Sequence, residues 1–393
     1  MADSRSPGDA PGLRAANRDR ILDLLRARGP MSQADLARAS GLSPATISSI
    51  ARDLREDGWL EPEDGDGPAR GRPIALSRSA GVAVGIDFGH SHVRVAVADL
   101  AHTVLAENEK RLDVDHRAEE GIALAGGMVR ELLDQVGMGT DRVTGVGMGL
   151  PGPLRRAGGE VGDSAILPGW IGSHPTQLIE AELGLPARVE NDANLGALAE
   201  IVWGAGRDHS DVVYLKVATG VGAGLVLNGR LYHGFAGTAG EIGHLTIDER
   251  GPVCRCGNRG CLETFAGADA VLEALSHRED RELTIRDVIE RALSDDLGCQ
   301  RALGDAGRTL GVAVAGVCNL LAPELVIVGG ELARAGDLLL EPIREAVRRS
   351  AIAATREVPV VAGVLGERAE VLGAVALVLR ESRSFVAEPE PVA

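Results

Sequence analysis

The chain has 393 residues, 45% hydrophobic and 25% charged, which is a globular composition too long for one ordinary core. A net charge of −16 excludes a protein that coats nucleic acid with its whole surface. Aromatic residues make up only 2%, so the core must be built from Val, Leu, Ile and Ala.

The charge is uneven along the chain. Residues 1–80 hold twelve Arg against twelve Asp and Glu, so residues 81–393 carry the whole excess, 29 basic against 45 acidic. A neutral head on an acidic body confines any DNA contact to the head. Three of the five cysteines fall within eight residues, which suggests a metal site in a reducing compartment rather than a secreted disulfide scaffold. The polar N-terminus shows no signal peptide and no apolar run reaches membrane-spanning length, so a cytoplasmic location is expected.

Residues 1–12, rich in Pro, Gly, Ser and Asp, read as a disordered tail. Residues 13–79 read as a winged helix-turn-helix with its wing and linker. NRDRILDLLRARG puts Ile21, Leu22, Leu24 and Leu25 on one helical stripe. Ser32 is placed to cap a short second helix with Leu36 and Ala37 inward, and Gly41 suits a left-handed turn. Ser43 then caps a third helix that opens with Pro44 and buries Ile47, Ile50 and Leu54. In a helix-turn-helix the exposed face of that third helix enters the major groove. Its candidate DNA-binding residues are Ser43, Ala45, Thr46, Ser48, Ser49 and Arg52. Trp59-Leu60, a Gly/Asp-rich stretch and PIALS suggest a two-stranded wing. Arg70 and Arg72 beside it either reach a minor groove or belong to a solvated linker. Three helices alone would also suit a protein-interaction module; the turn, caps and wing together favour DNA.

After residue 80 short β-branched strands alternate with longer helical segments. GVAVGIDFGHSHVRVAVADL and KVATGVGAGLVLNGRL each read as strand, turn, strand, with Asp87 closing the first strand and Gly220, Gly222 and Gly224 in the second turn. Glycine-rich turns of this kind present backbone N–H groups to anions.

VENDANLGALAE, GTAGEIGHLTI and CRCGNRGCLE, in this order, resemble the signatures of the ROK family (repressors, open reading frames and sugar kinases) over about residues 80–380. The resemblance implies an α/β, two-lobed, actin-like (RNase H-like) ATPase fold behind the head. The first lobe would span 80–195 and be completed by a C-terminal helix at 368–381; the second lobe would span 196–367, with a tail from 382 to 393. It implies that Gly152, Asn191, Asp192, Glu241, His244 and Glu263 contact a sugar, and that Asp192 is the base of any phosphoryl transfer. It also implies a structural Zn2+ on His244, Cys254, Cys256 and Cys261, whose ligand types suit a closed tetrahedral site. A nucleotide would lie against Asp87, Gly89, Thr219, Gly220, Gly222, Gly329 and Gly330.

Two departures stand out. DFGHS carries His90 where the family's kinases carry a second glycine, which opposes ATP binding at a turn where the backbone must approach phosphate closely. Ile166 stands where the family often has Asn near the sugar. The expected protein is a DNA-binding transcriptional regulator with a double-stranded operator, a sugar or sugar-derivative effector and a homodimeric or homotetrameric assembly. The alternative is an active ATP-dependent sugar kinase carrying a DNA-binding head.

Overall fold

A computed structural model describes residues 11–62, 73–77, 81–113, 115–154, 160–162, 166–278 and 283–381. Arg70 and Arg72 lie outside these residues, as do the two expected tails apart from Pro11 and Gly12. No helix among the described residues is long and apolar enough to cross a membrane.

The head consists of α1 (Pro11–Arg28), α2 (Gln33–Ser40), α3 (Pro44–Glu56) and an antiparallel pair, β1 (Leu60–Pro62) with β2 (Ile74–Leu76). Helix α1 starts two residues inside the expected tail, and proline is tolerated in a helix's first turn because its N–H would be unpaired there anyway. Ser32 caps α2 by accepting from the Asp35 N–H, and Gly41 ends that helix at φ 69°. Ser43 caps α3 by accepting from the Thr46 N–H. Ile21, Leu36, Ile47 and Leu54 are fully buried together, and Ile74 of β2 joins them. The half-buried Trp59 packs on this core on one side. On the other it meets a cluster of the body that includes Ala96, Val375 and Leu379.

The body contains two five-stranded sheets of identical connectivity. The first runs β5 (Val104–Arg111), β4 (His92–Asp99), β3 (Val82–Phe88), β6 (Val143–Leu150), β7 (Ala187–Asn191). The second runs β10 (Arg230–Leu231), β9 (Val221–Leu227), β8 (Val212–Val217), β11 (Leu325–Gly329), β12 (Val360–Ala362). In each, a three-strand antiparallel meander continues into two parallel strands. Asn228 and Gly229, both at positive φ, make the tight turn between β9 and β10.

Helices α4 (Ala118–Gln135) and α5 (Pro175–Leu183) cover the first sheet. Helices α7 (Glu263–Ala266), α8 (Ala268–Leu275), α9 (Ile285–Leu293), α10 (Leu297–Leu321) and α11 (Asp337–Ser350) belong to the second half. Cys299 and Cys318 are buried in α10 among aliphatic side chains. Between the sheets lie α6 (Asp192–Val202) and α12 (Ala369–Glu381), which pack on each other and, through α12, on β3, β4 and β6.

That packing is set by glycine. A Cβ on Gly147 would lie 1.9 Å from the Ala374 carbonyl oxygen, and one on Gly373 would lie 2.0 Å from that of Leu195. Backbone cannot yield as a flexible side chain can, so a methyl forces the layers apart. Gly147→Ala and Gly373→Ala are each expected to cost about 1–3 kcal/mol, read as a lower urea midpoint at unchanged m; an unaltered midpoint would refute this packing.

Candidate functional site

A cleft opens between the two halves, at the carboxyl ends of β3, β7 and β8. Such crevices are where open α/β sheets present residues free of strand pairing. Its lining brings together Gly152, Asn191, Asp192, Glu241, His244 and Glu263, which the sequence scatters over more than a hundred positions.

Strand β7 runs directly into α6, so the Asn191-Asp192 pair is also a helix start. Asn191 is the N-cap; its side-chain oxygen accepts from Ala193 and Asn194 N–H at 2.9 and 3.3 Å, while its Nδ2 donates to Gly152 O at 3.1 Å. The capping role and the site role thus coexist in one side chain. Asp192 accepts from the Ala193 N–H through Oδ1 and from Lys216 Nζ through Oδ2, at 2.8 and 2.7 Å. Beneath them, Glu190 accepts from Asn194 Nδ2 at 2.9 Å and meets His233 at 2.7 Å. Burial raises the Glu190 pKa, but these bonds outweigh it and leave the group lowered.

Glu241 stands on the opposite wall. Burial first, and then the charges of Asp192 and Glu263, push its carboxyl up to about 7. The lining carboxylates can accept from several hydroxyls, as a polyol requires.

His244, Cys254, Cys256 and Cys261 bring one ligand atom each within 4.8 Å of one another. Cys256 and Cys261 sulfurs are 3.7 Å apart, and Cys254 Sγ is 3.5 Å from His244 Nδ1. These are close to the edges of a tetrahedron with Zn–S bonds of about 2.3 Å, so the four residues fit a zinc ion. The imidazole divides its two nitrogens: Nδ1 faces the sulfurs, while Nε2 faces Glu241 at 3.9 Å. One histidine can therefore serve both the metal and the cleft. Glu263 is tied to the same loop, with Cys254 Sγ at 3.2 Å and Arg255 Nε at 2.9 Å from its Oε1.

The glycine-rich turns diverge. Gly89, His90, Thr219, Gly220 and Gly222 line the cleft; Asp87, Gly329 and Gly330 do not. Gly329 and Gly330 press instead on Tyr214 and on the Val217 carbonyl, where a Cβ would lie 2.0 and 2.5 Å away. His90 is exposed and absent from the positive-φ residues, so this turn takes a side chain at position 90 without backbone strain. The ring packed beside Gly89 belongs to His92, which lies 2.1 Å from where a Gly89 Cβ would sit and whose Nε2 is 3.4 Å from Asp87. Burial lowers the His92 pKa, but its bond to Asp87 and that carboxylate's charge reverse the sign and leave it raised. Ile166 lines the cleft against Gly220.

On α3, Ser43 and Thr46 hydroxyls are 2.8 Å apart and serve the cap, and Ser49 receives Arg14 at 3.3 Å. Ala45, Ser48 and Arg52 are the exposed positions among the expected contacts besides Ser43. Lys216, His92 and Arg255 were not singled out by sequence. Lys216 had a signal, being one of two lysines among 41 basic residues and the lone charge in the strand VVYLKV.

A ROK family model matches residues 83–381 and a winged helix-turn-helix DNA-binding model matches residues 16–61. The Xylose repressor of Caldicellulosiruptor bescii is 30% identical over 391 residues, covering 95% of this chain and 98% of that protein. A Glucokinase of Halalkalibacterium halodurans is 33% identical over 281 residues, 67% of this chain and 84% of the enzyme. The crystal structure of a ROK family transcriptional regulator, homolog of E. coli MLC protein, matches with a TM-score of 0.81 at 26% identity, over 94% of this chain and 97% of that one. Head and body both match, and the chain belongs to the ROK family, carrying the winged helix-turn-helix of that family's transcriptional regulators.

Proposed function

We propose that this protein is a cytoplasmic, sugar-responsive repressor, acting as a homodimer or homotetramer on a double-stranded operator. The observation that carries the reading is a cleft of hydroxyl-binding carboxylates and a DNA-binding head in one chain, joined by a shared contact. Helix α12 touches the cleft floor through Glu370, 3.3 Å from Lys216, and touches the head through Trp59 further along. A sugar that shifts α12 would shift the heads, and two heads must match half-sites about 34–36 Å apart. Asn191, Asp192, Glu241, His244 and Glu263 are the sugar contacts in this reading. A zinc ion on His244, Cys254, Cys256 and Cys261 would hold the loop that presents His244 and Glu263, and would supply stability rather than chemistry. Ala45, Ser48 and Arg52 supply the groove contacts, with Arg52 on phosphate or guanine.

The test is fluorescence anisotropy on DNA from upstream of the coding region, at fixed salt, with a panel of neutral sugars that includes xylose. One sugar is expected to change the DNA Kd at least about fivefold, a coupling of about 1 kcal/mol, and DNA must change the sugar Kd by the same factor. Specific DNA binding that ignores every sugar would overturn the sensor reading. The intact Thr219-Gly220-Val221-Gly222 turn favours a kinase as the second reading. ATP consumption with a hexose, abolished in Asp192→Asn, would establish it.

Trp59→Ala is expected to keep DNA affinity within about threefold while reducing the sugar response to less than half, because it loosens the joint and leaves α3 in place. Equal sugar response in variant and wild type would show that the coupling runs elsewhere. Removing metal with a chelator is expected to lower Tm and weaken sugar binding about tenfold, roughly 1.4 kcal/mol. Calorimetry with and without added Zn2+ reads both, and unchanged sugar affinity would separate the cluster from the cleft.

A further inference from the structure

Three carboxylates meet at the cleft floor: Asp192 from the start of α6 lines it, and Asp87 from the end of β3 and Glu370 from the start of α12 lie behind. Each is less than a tenth exposed. Their one lysine comes from the other sheet. Lys216 of β8 donates to Asp192 Oδ2 at 2.7 Å and lies 3.3 Å from Glu370 Oε1, and the charge of Asp87 also acts on it. Asp87 Oδ1 is buried with no hydrogen-bond partner, while its Oδ2 lies 3.4 Å from His92 Nε2, so His92 shares in balancing this carboxylate. Burial disfavours the Lys216 ammonium, yet the attraction of Asp192 and Glu370 outweighs it and holds the pKa above that of an ordinary lysine.

Carboxylates this close and this dry must either hold a proton or be balanced by a cation; burial and the charges of Asp87 and Asp192 raise the Glu370 carboxyl while Lys216 pulls it down. A hard divalent ion with oxygen ligands is one solution and an ammonium is another. The choice of side chain fits the second. In a chain with only two lysines among 41 basic residues, a compact ammonium stands where a planar guanidinium would need a wider slot.

We propose that Lys216 is the built-in counter-ion of the Asp87–Asp192–Glu370 cluster, taking the space a divalent cation would otherwise occupy. The cleft then receives an uncharged sugar with neither metal nor nucleotide. Asp192 is fixed as an acceptor for a sugar hydroxyl, with the ammonium engaging the oxygen that would otherwise take a proton. The part concerning sugar rests on the function proposed above; the part concerning the cation stands on the cluster alone.

The experiment compares the zinc-saturated full chain with Lys216→Ala, using Mn2+ as the probe and electron paramagnetic resonance to count free ion. Lys216→Ala is expected to bind one more Mn2+ per chain, at least tenfold tighter than wild type at the same stoichiometry, and to gain Tm from Mn2+ where wild type gains none. Adding Asp192→Asn to Lys216→Ala should abolish that site. Equal Mn2+ binding by wild type and Lys216→Ala overturns the proposal. Should Lys216→Ala not fold, Lys216→Met/Glu370→Gln removes one charge of each sign, and at least fivefold tighter Mn2+ binding than wild type is expected of it. In the sugar arm Lys216→Ala should weaken sugar at least tenfold, with ethylammonium restoring part of the loss; unchanged affinity overturns the assignment of Asp192's orientation to Lys216. A wild type that binds no sugar refutes the function proposed above and leaves the Mn2+ comparison decisive for Lys216.

Discussion

Gly373 of α12 lies so close to α6 that a methyl there would sit 2.0 Å from the Leu195 carbonyl oxygen. Contact between helix backbones leaves no play in the distance between their axes, unlike contact through side chains that can change rotamer. Because both helices begin at the cleft floor, this closeness brings Asp192 and Glu370 to one lysine. It also clamps α12 against β6 through Gly147. The cleft's floor is rigid for the same reason that its two halves hold together.

Charge inside this protein is balanced locally and across the halves. Lys216 answers Asp192 and Glu370, His92 answers Asp87, His233 answers Glu190 and Arg255 answers Glu263. The body is strongly acidic overall, yet the buried acids around its cleft have basic neighbours, while Asp99 and Glu200 accept from backbone N–H groups instead. Outside the cleft, Glu367 gathers Arg286 and Arg334 at 3.2 and 2.9 Å with Arg94 at 3.7 Å. Most of these side chains are well exposed, so such pairs contribute little each to stability. Their value is in register: they tie the approach to α12 to β4 of the first half and to α9 and the turn after β11 in the second.

Local chemistry made much of the head legible. Ser32, Gly41, Ser43 and Pro44 act on residues three or four away, and the structure has them in the cap and turn roles their types favour. The cysteine spacing was informative because a metal demands several ligands at once. At Asn191 two readings, helix cap and site residue, both describe the geometry. What could not be read depended on groups meeting across the fold. His90 was expected to burden its turn, but its backbone is ordinary, and the ring that covers Gly89 comes from His92 two positions on. Lys216 reads as one more charge in a strand until α6 and α12 are placed against it. The dual packing of Trp59 belongs to the same class, since no periodicity reports which other surface a tryptophan will meet.

The position of α12 along the chain has a temporal meaning. The helix that completes the cleft floor is the last one described, some three hundred residues after the head. At roughly 5–20 residues per second of synthesis, the head emerges tens of seconds before it. During that interval a nascent chain owns a finished DNA-reading domain and a ligand cleft without its floor. A chain cut short before α12 has a complete head but an unfinished cleft, so the head forms without the element that joins it to the cleft floor.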